Sequence, residues 1–169
     1  MRELRKEGVY TYHKLDEASE VSKFHIVSDR DVPGSGFNFF VGMGITDYGR
    51  TFKMWLREFP RPVFVIAAKG NQVVSWVYVQ EWGELSREGA PIYVLRAIET
   101  LPSIRKQKIG MKLLLLVLNE TVGYMITKPL TKEAERFFKR AGFMAEEEFR
   151  RCPVELSQHH GYLVMPPFR

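Results

Sequence analysis

The segment Met111-Lys112-Leu113-Leu114-Leu115-Leu116-Val117-Leu118 has Lys112 as its single polar residue and follows directly on the basic loop Arg105-Lys106-Gln107-Lys108. A helix that is apolar on nearly every side has to be covered by other elements, and here a sheet is the partner the remaining sequence supplies. The run is far shorter than the roughly 20 residues that a membrane-spanning helix needs. It predicts a buried helix of a mixed α/β domain.

The strands are readable from β-rich runs bounded by turn residues. Val9 to His13 reads as the first strand. Val63 to Ala68 and Val73 to Trp82 read as an antiparallel pair joined by Lys69-Gly70-Asn71-Gln72. Ile92 to Thr100 is a fourth strand, stopped by Pro102 and Ser103, and Tyr124 to Thr127 is a short fifth. Phe143 to Phe149 and Gly161 to Met165 complete the set.

Capping residues mark the helices between them. Asp16 predicts a helix carrying Ala18, Val21 and His25 on one face. Thr46 or Asp47 caps a second, in which Tyr48, Phe52, Trp55, Leu56 and Phe59 recur at helical spacing until Pro60 and Pro62 end it. The apolar helix after the basic loop ends near Gly123, and Thr131 caps a last helix with Ala134, Phe137, Phe138 and Ala141 on one face and Gly142 as its stop. The predicted order is strand, helix, helix, three strands, helix, strand, helix and two strands. Glycines flank Phe37, Phe39 and Phe40, which gives an aromatic loop that either lines a pocket or plugs the core.

With 169 residues, 45% of them hydrophobic, the chain buries one sizeable core, so residues 1–169 are expected to form a single domain. The charged start Met1 to Glu7 is not followed by the apolar stretch of a signal peptide, and a cytoplasmic location is the expectation. Cys152 is the only cysteine, which excludes an internal disulfide. A net charge of +5 suits an anionic partner, either nucleic acid or a phosphorylated cofactor.

Chemistry concentrates in Ile98 to Gly110, where a strand end, a basic loop and a helix start follow one another. Free backbone N–H groups and the helix dipole favour an anion there, and Arg105, Lys106 and Lys108 add full charges to the same place. A pyrophosphate fits this description, as does a solvated basic loop.

Arg105-Lys106-Gln107-Lys108-Ile109-Gly110 resembles the signature of the GNAT superfamily of N-acetyltransferases: Arg or Gln, two residues, Gly, one residue, then Gly or Ala. Ala134 to Phe143 resembles that family's second signature, and the element order agrees along nearly the whole chain. The resemblance implies a GNAT-like mixed sheet and acetyl-CoA as co-substrate, with acetyl moving to a primary amine by direct attack in a ternary complex. It implies main-chain hydrogen bonds from Ile98, Glu99 and Thr100 to the pantetheine arm, between splayed strands. Backbone N–H groups from Lys106 through Gln107, Lys108, Ile109 and Gly110 to Met111 then take the pyrophosphate beside Arg105. A strand amide polarises the thioester carbonyl.

Two positions depart from the family pattern. Lys108 stands where a glycine is usual, and Phe138 where many members carry a tyrosine that protonates the leaving thiolate. Thr131 replaces a frequent asparagine, as a shorter contact or as a helix cap. Glu81, Glu84 and Glu99 are the candidate bases, each also readable as an ordinary carboxylate. Tyr124, Cys152 and Tyr162 are candidate acids, with packing roles as the alternative. His159-His160 suggests a metal only superficially, since neighbouring strand residues face opposite ways, and no metal is expected.

A domain that binds acyl-CoA without turnover and a nucleic-acid-binding module are the competing readings. The second ranks lower because the basic residues are scattered and no recognition motif is present. The acceptor is a small-molecule or peptide amine, no membrane is involved, and a homodimer through the last strands is compatible with the sequence.

Overall fold

The computed structural model describes residues 1–167. Eight strands form one sheet: β1 (Arg2–Glu7), β2 (Tyr10–Leu15), β3 (Val63–Lys69), β4 (Gln72–Leu85), β5 (Pro91–Thr100), β6 (Tyr124–Thr127), β7 (Met144–Ala145) and β8 (Leu163–Met165). Their spatial order is β1-β2-β3-β4-β5-β6-β8-β7, antiparallel except between β5 and β6. The helices are α1 (Tyr48–Trp55), α2 (Ile109–Asn119) and α3 (Lys132–Ala141).

The caps of α1 and α3 act as predicted, whereas Asp16 caps no helix. Asp47 accepts from Arg50 N–H at 3.0 Å to start α1, Thr131 accepts from Ala134 N–H at 3.0 Å to start α3, and Gly142 ends α3 with φ +110°. Helix α1 ends at Trp55, short of the expected Phe59, which is 98% exposed, and three further elements differ from expectation. The charged start is a strand: Arg2–Glu7 folds back on β2 through Gly8 and forms an exposed edge, where charged side chains are tolerated on both faces. The segment after Asp16 makes only a 3-10 turn, Ala18–Lys23. Glu20 draws the N–H groups of Asp16 and Glu17 onto its carboxylate (2.7 and 3.1 Å), and His25 pairs with Gln72 instead of joining a helix. Of Phe143 to Phe149, only Met144–Ala145 is strand, because Glu146–Glu148 turns the chain away.

Both faces of the sheet are covered, and α2 is buried on the side that meets the sheet while Leu115 on its outer side stays exposed. It packs on β3, β4 and β5 through Leu113, Leu114 and Val117, all at 0% exposure. On the opposite face Trp76 is completely buried within a ring of Phe37, Phe40, Tyr48, Phe52, Trp55 and Phe64. This aromatic cluster fixes α1 and the aromatic loop over β4 by apolar burial and edge-to-face ring contacts. The connection between β7 and β8 adds a second apolar cluster, in which Cys152, Val154 and Leu156 meet Ile92, Val94, Tyr124 and Ile126. Among the described residues no helix is long and apolar enough to cross a membrane.

Candidate functional site

Two irregularities in β5 shape the site. The first is a bulge: Tyr78 is opposite Ala97 and Val79 opposite Leu95, so Arg96 is an extra residue with no partner on β4. A bulge resets the alternation of side chains. Arg96, Ala97 and Glu99 share the face that carries α1, whereas Ile98 and Thr100 turn toward α2.

The second is an early end to pairing. β5 and β6 pair only from Ile92 and Tyr124 to Val94 and Ile126. Thr127 then caps the junction by donating its hydroxyl to the Leu95 carbonyl at 3.1 Å, and β6 departs. On the other edge of β5, Leu101 N–H donates to Val74 C=O at 2.9 Å, which makes those two a hydrogen-bonded pair of the antiparallel ladder. Alternation then turns the main-chain groups of Ala97 and Glu99 to β4 and those of Ile98 and Thr100 to the open edge. The groups expected to meet an extended ligand are therefore Ile98 and Thr100, while Glu99 has its backbone committed to β4.

The open edge leads to the start of α2. Pro102–Gln107 forms a 3-10 turn, and Lys108 follows with φ +60°, the single non-glycine residue in the left-handed region among the described residues. Its position is the one where the resemblance calls for glycine. A lysine there costs about 1 kcal/mol of backbone strain, which the surrounding turn imposes. Lys112 N–H donates to Lys108 C=O at 3.1 Å as the helix begins, and no side chain caps the N–H groups of Ile109, Gly110 and Met111. Gly110 allows the close approach: a Cβ there would stand 3.0 Å from Thr100 Oγ1 and 3.9 Å from the Phe137 ring. Arg105, Lys106, Gln107 and Lys108 are exposed around this turn. Arg105 donates through Nε to the Thr100 carbonyl at 3.4 Å, and Gln107 Oε1 accepts from Tyr10 at 2.8 Å.

Glu99 is buried at 5% exposure and fully engaged. Its Oε2 accepts from the N–H groups of Asn38 and Phe39, both at 2.9 Å, and its Oε1 from the Tyr48 hydroxyl at 2.8 Å. Burial and the adjacent carboxylate push the Tyr48 phenol well above its ordinary pKa, so it stays a donor. Sequence reading missed this partnership because 51 to 61 residues separate the groups. Within the aromatic loop, Phe37 and Phe40 plug the core and Phe39 is exposed.

The other candidates are dispersed. Glu81 is exposed opposite Tyr93, and Glu84 lies on the projecting end of β4. Tyr124 donates to Glu88 at 2.9 Å within the second apolar cluster. Cys152 is buried there as well, and burial pushes its thiol up. Tyr162 is half-buried against Trp82 and His159, with ring centroids 6.1 and 5.9 Å away. Thr131 uses its hydroxyl as the α3 cap, and Phe138 is buried between Phe137 and Phe143. No three His, Cys, Asp or Glu side chains gather as a metal site among the described residues.

Glu58, Gln80, Arg96 and Trp82 were not singled out by sequence reading, yet they line up beside the bulge on the α1 face. Glu58 Oε2 accepts from the Tyr78 hydroxyl and from Gln80 Nε2 (2.6 Å for the latter), and Gln80 Oε1 accepts from Arg96 Nε at 2.8 Å. The one charge inside the otherwise apolar run Ile92 to Ile98 was the available signal.

No family model matches the chain, and no curated protein is recognisably similar in sequence. Solved structures are similar in fold. A chain of the KacTA–DNA complex aligns over 94% of this chain and 93% of its own, with 12% identity and a TM-score of 0.65. A GNAT-family protein from Desulfovibrio desulfuricans aligns over 94% and 99%, with 15% identity and a TM-score of 0.61. A point mutant of the AtaT toxin bound to the C-terminus of the antitoxin AtaR aligns over 94% and 92%, with 17% identity and a TM-score of 0.60. That mutant toxin has also been solved with acetyl-CoA. In its element order, its mixed sheet and its likeness to these structures, the chain has the fold of the GNAT superfamily.

Proposed function

We propose that this protein transfers acetyl from acetyl-CoA to a primary amine. The observation that carries the reading is the continuity between the open edge of β5 at Ile98 and Thr100 and the uncapped N–H groups of Ile109, Gly110 and Met111. The first is suited to an extended amide chain that adds like a strand, and the second to a pyrophosphate. Pantetheine followed by pyrophosphate is the order of groups in CoA. Solved neighbours that hold acetyl-CoA support the choice.

Bound in this way, the thioester lies toward the bulge at Arg96, where a main-chain N–H can hold the carbonyl oxygen as negative charge develops. The neutral amine approaches from the α1 face and forms a bond to the carbonyl carbon. The carbon–sulfur bond then breaks, and the thiolate leaves. An alkylammonium has an ordinary pKa near ~10.4, so a proton must be lost before attack. Glu99 is engaged with three donors and is better suited to holding the aromatic loop, and Glu81, between Gln80 and Trp82 on β4, turns to the other face, so the proton leaves through water, with Glu84 the remaining candidate carboxylate. Tyr162, on the α1 face beside Trp82, is the best placed of the candidate acids; Phe138 has no proton to give.

A CoA-release assay with a panel of amines tests the reading. Thiol formation that requires both acetyl-CoA and an amine is the expected result. Tight acetyl-CoA binding with no turnover on any amine would favour a binding domain instead. The neighbours' complexes with an antitoxin and with DNA make a protein partner a second proposal, testable by co-purification.

A further inference from the structure

Arg96 is the bulge residue of β5, and its side chain is exposed on the face from which an acceptor would approach. A chain of directed contacts holds it. Tyr78 and Gln80 both donate to the Glu58 carboxylate, which fixes the Gln80 amide so that its oxygen accepts from Arg96 Nε at 2.8 Å. The guanidinium carbon lies 5.8 Å from the centre of the Trp82 ring, whose other neighbours are His159 and Tyr162. One nitrogen of the guanidinium is thus anchored, and the cation lies over an aromatic ring within cation–π range. The two terminal nitrogens have no protein acceptor among the described residues.

We propose that Arg96 is a specificity residue that binds an oxyanion on the acceptor, so that the preferred substrate is an amine that also carries a carboxylate or a phosphate. This rests on the acetyl-transfer reading for the reaction but not for the binding event itself. A guanidinium held by Nε beside an aromatic ring presents its remaining N–H groups as a planar fork, the geometry that matches carboxylate and phosphate. Arg96 also stands where β5 stops being paired, next to Leu95 and Ala97, so a group gripped there keeps the acceptor's amine within a few bonds of the thioester. A simple alkylamine has nothing to offer the fork, and its own ammonium would be repelled by it.

The test uses paired probes: glycine against glycinamide, β-alanine against its amide, and O-phosphoethanolamine against ethanolamine. Binding is followed by ligand-observed NMR on the full chain saturated with CoA, and again without CoA. The expected result is that the anionic member binds about tenfold or more tightly in at least one pair. That preference should disappear in Arg96→Gln and be partly retained in Arg96→Lys, with CoA affinity unchanged in both. A carboxylate pair or the phosphate pair responding alone identifies the oxyanion. Equal binding within every pair, or a preference that survives Arg96→Gln, overturns the proposal. Failure of the wild-type chain to bind CoA would instead count against the acetyl-transfer reading, while the probes without CoA still report on Arg96.

Discussion

Tyr48 donates its phenolic hydrogen to Glu99 across 2.8 Å, and through this contact the first residue of α1 is tied to the strand whose next residue, Thr100, faces the open edge of the sheet. The same carboxylate accepts the N–H groups of Asn38 and Phe39. One buried side chain therefore connects the sheet, the helix and the aromatic loop.

Removing that carboxylate leaves two backbone donors and a phenol without an acceptor. Glu99→Ala is expected to destabilise the fold by about 3–5 kcal/mol, and Tyr48→Phe by about 1–2 kcal/mol. Urea unfolding followed by tryptophan fluorescence measures both. The double variant should lose less than the sum of the single ones, since the two residues share one interaction.

The same pair sets an alkaline limit. The folded-state pKa of Tyr48 is raised above its unfolded value by burial and by Glu99, and that of Tyr78 by burial and Glu58. Their contribution is fully present below the unfolded value near ~10 and is lost as pH rises beyond it. Stability measured from pH ~8 to ~11 should fall at the upper end, and more gently in Tyr48→Phe. An identical slope in that variant would remove Tyr48 from the account.

Much of the architecture was legible because it is written locally. Asp47, Thr131 and Gly142 act through neighbours within a few residues, and Leu113, Leu114 and Val117 require burial wherever they lie. Strand β1 escaped detection because its residues are charged, and its pairing with β2 is what makes it a strand. The bulge at Arg96 was hidden for a related reason, since an extra residue exists only relative to the register of β4. The fork formed with Glu58 and Gln80, and the clamp around Glu99, join segments that the sequence keeps far apart.

Lys108 separates backbone from charge. Lys108→Gly removes the left-handed strain at φ +60° and should change stability by no more than about 1 kcal/mol, in the stabilising direction, because glycine's extra unfolded-state freedom offsets part of the gain. If the ammonium holds a phosphate, affinity for CoA falls severalfold in the same variant. Thermal melts and calorimetry on one sample read the two effects independently.

Phe138→Tyr restores a phenol at the position where the resemblance implies an acid. The expected outcome is a rise in kcat of about tenfold to hundredfold with little change in acetyl-CoA affinity, at a stability cost of about 1 kcal/mol for the added buried hydroxyl. Unchanged kcat would mean that thiolate departure needs no proton here.

Calorimetric titration with acetyl-CoA, and separately with CoA, tests the central claim most directly, with Lys106→Glu and Gly110→Trp as controls. Saturable binding that is weakened in both controls is the predicted result, since one reverses a charge at the turn and the other fills the approach of α2 to Thr100. No heat and no thermal stabilisation at millimolar ligand would contradict the account, because the open edge of β5 and the uncapped start of α2 would then not form a CoA site.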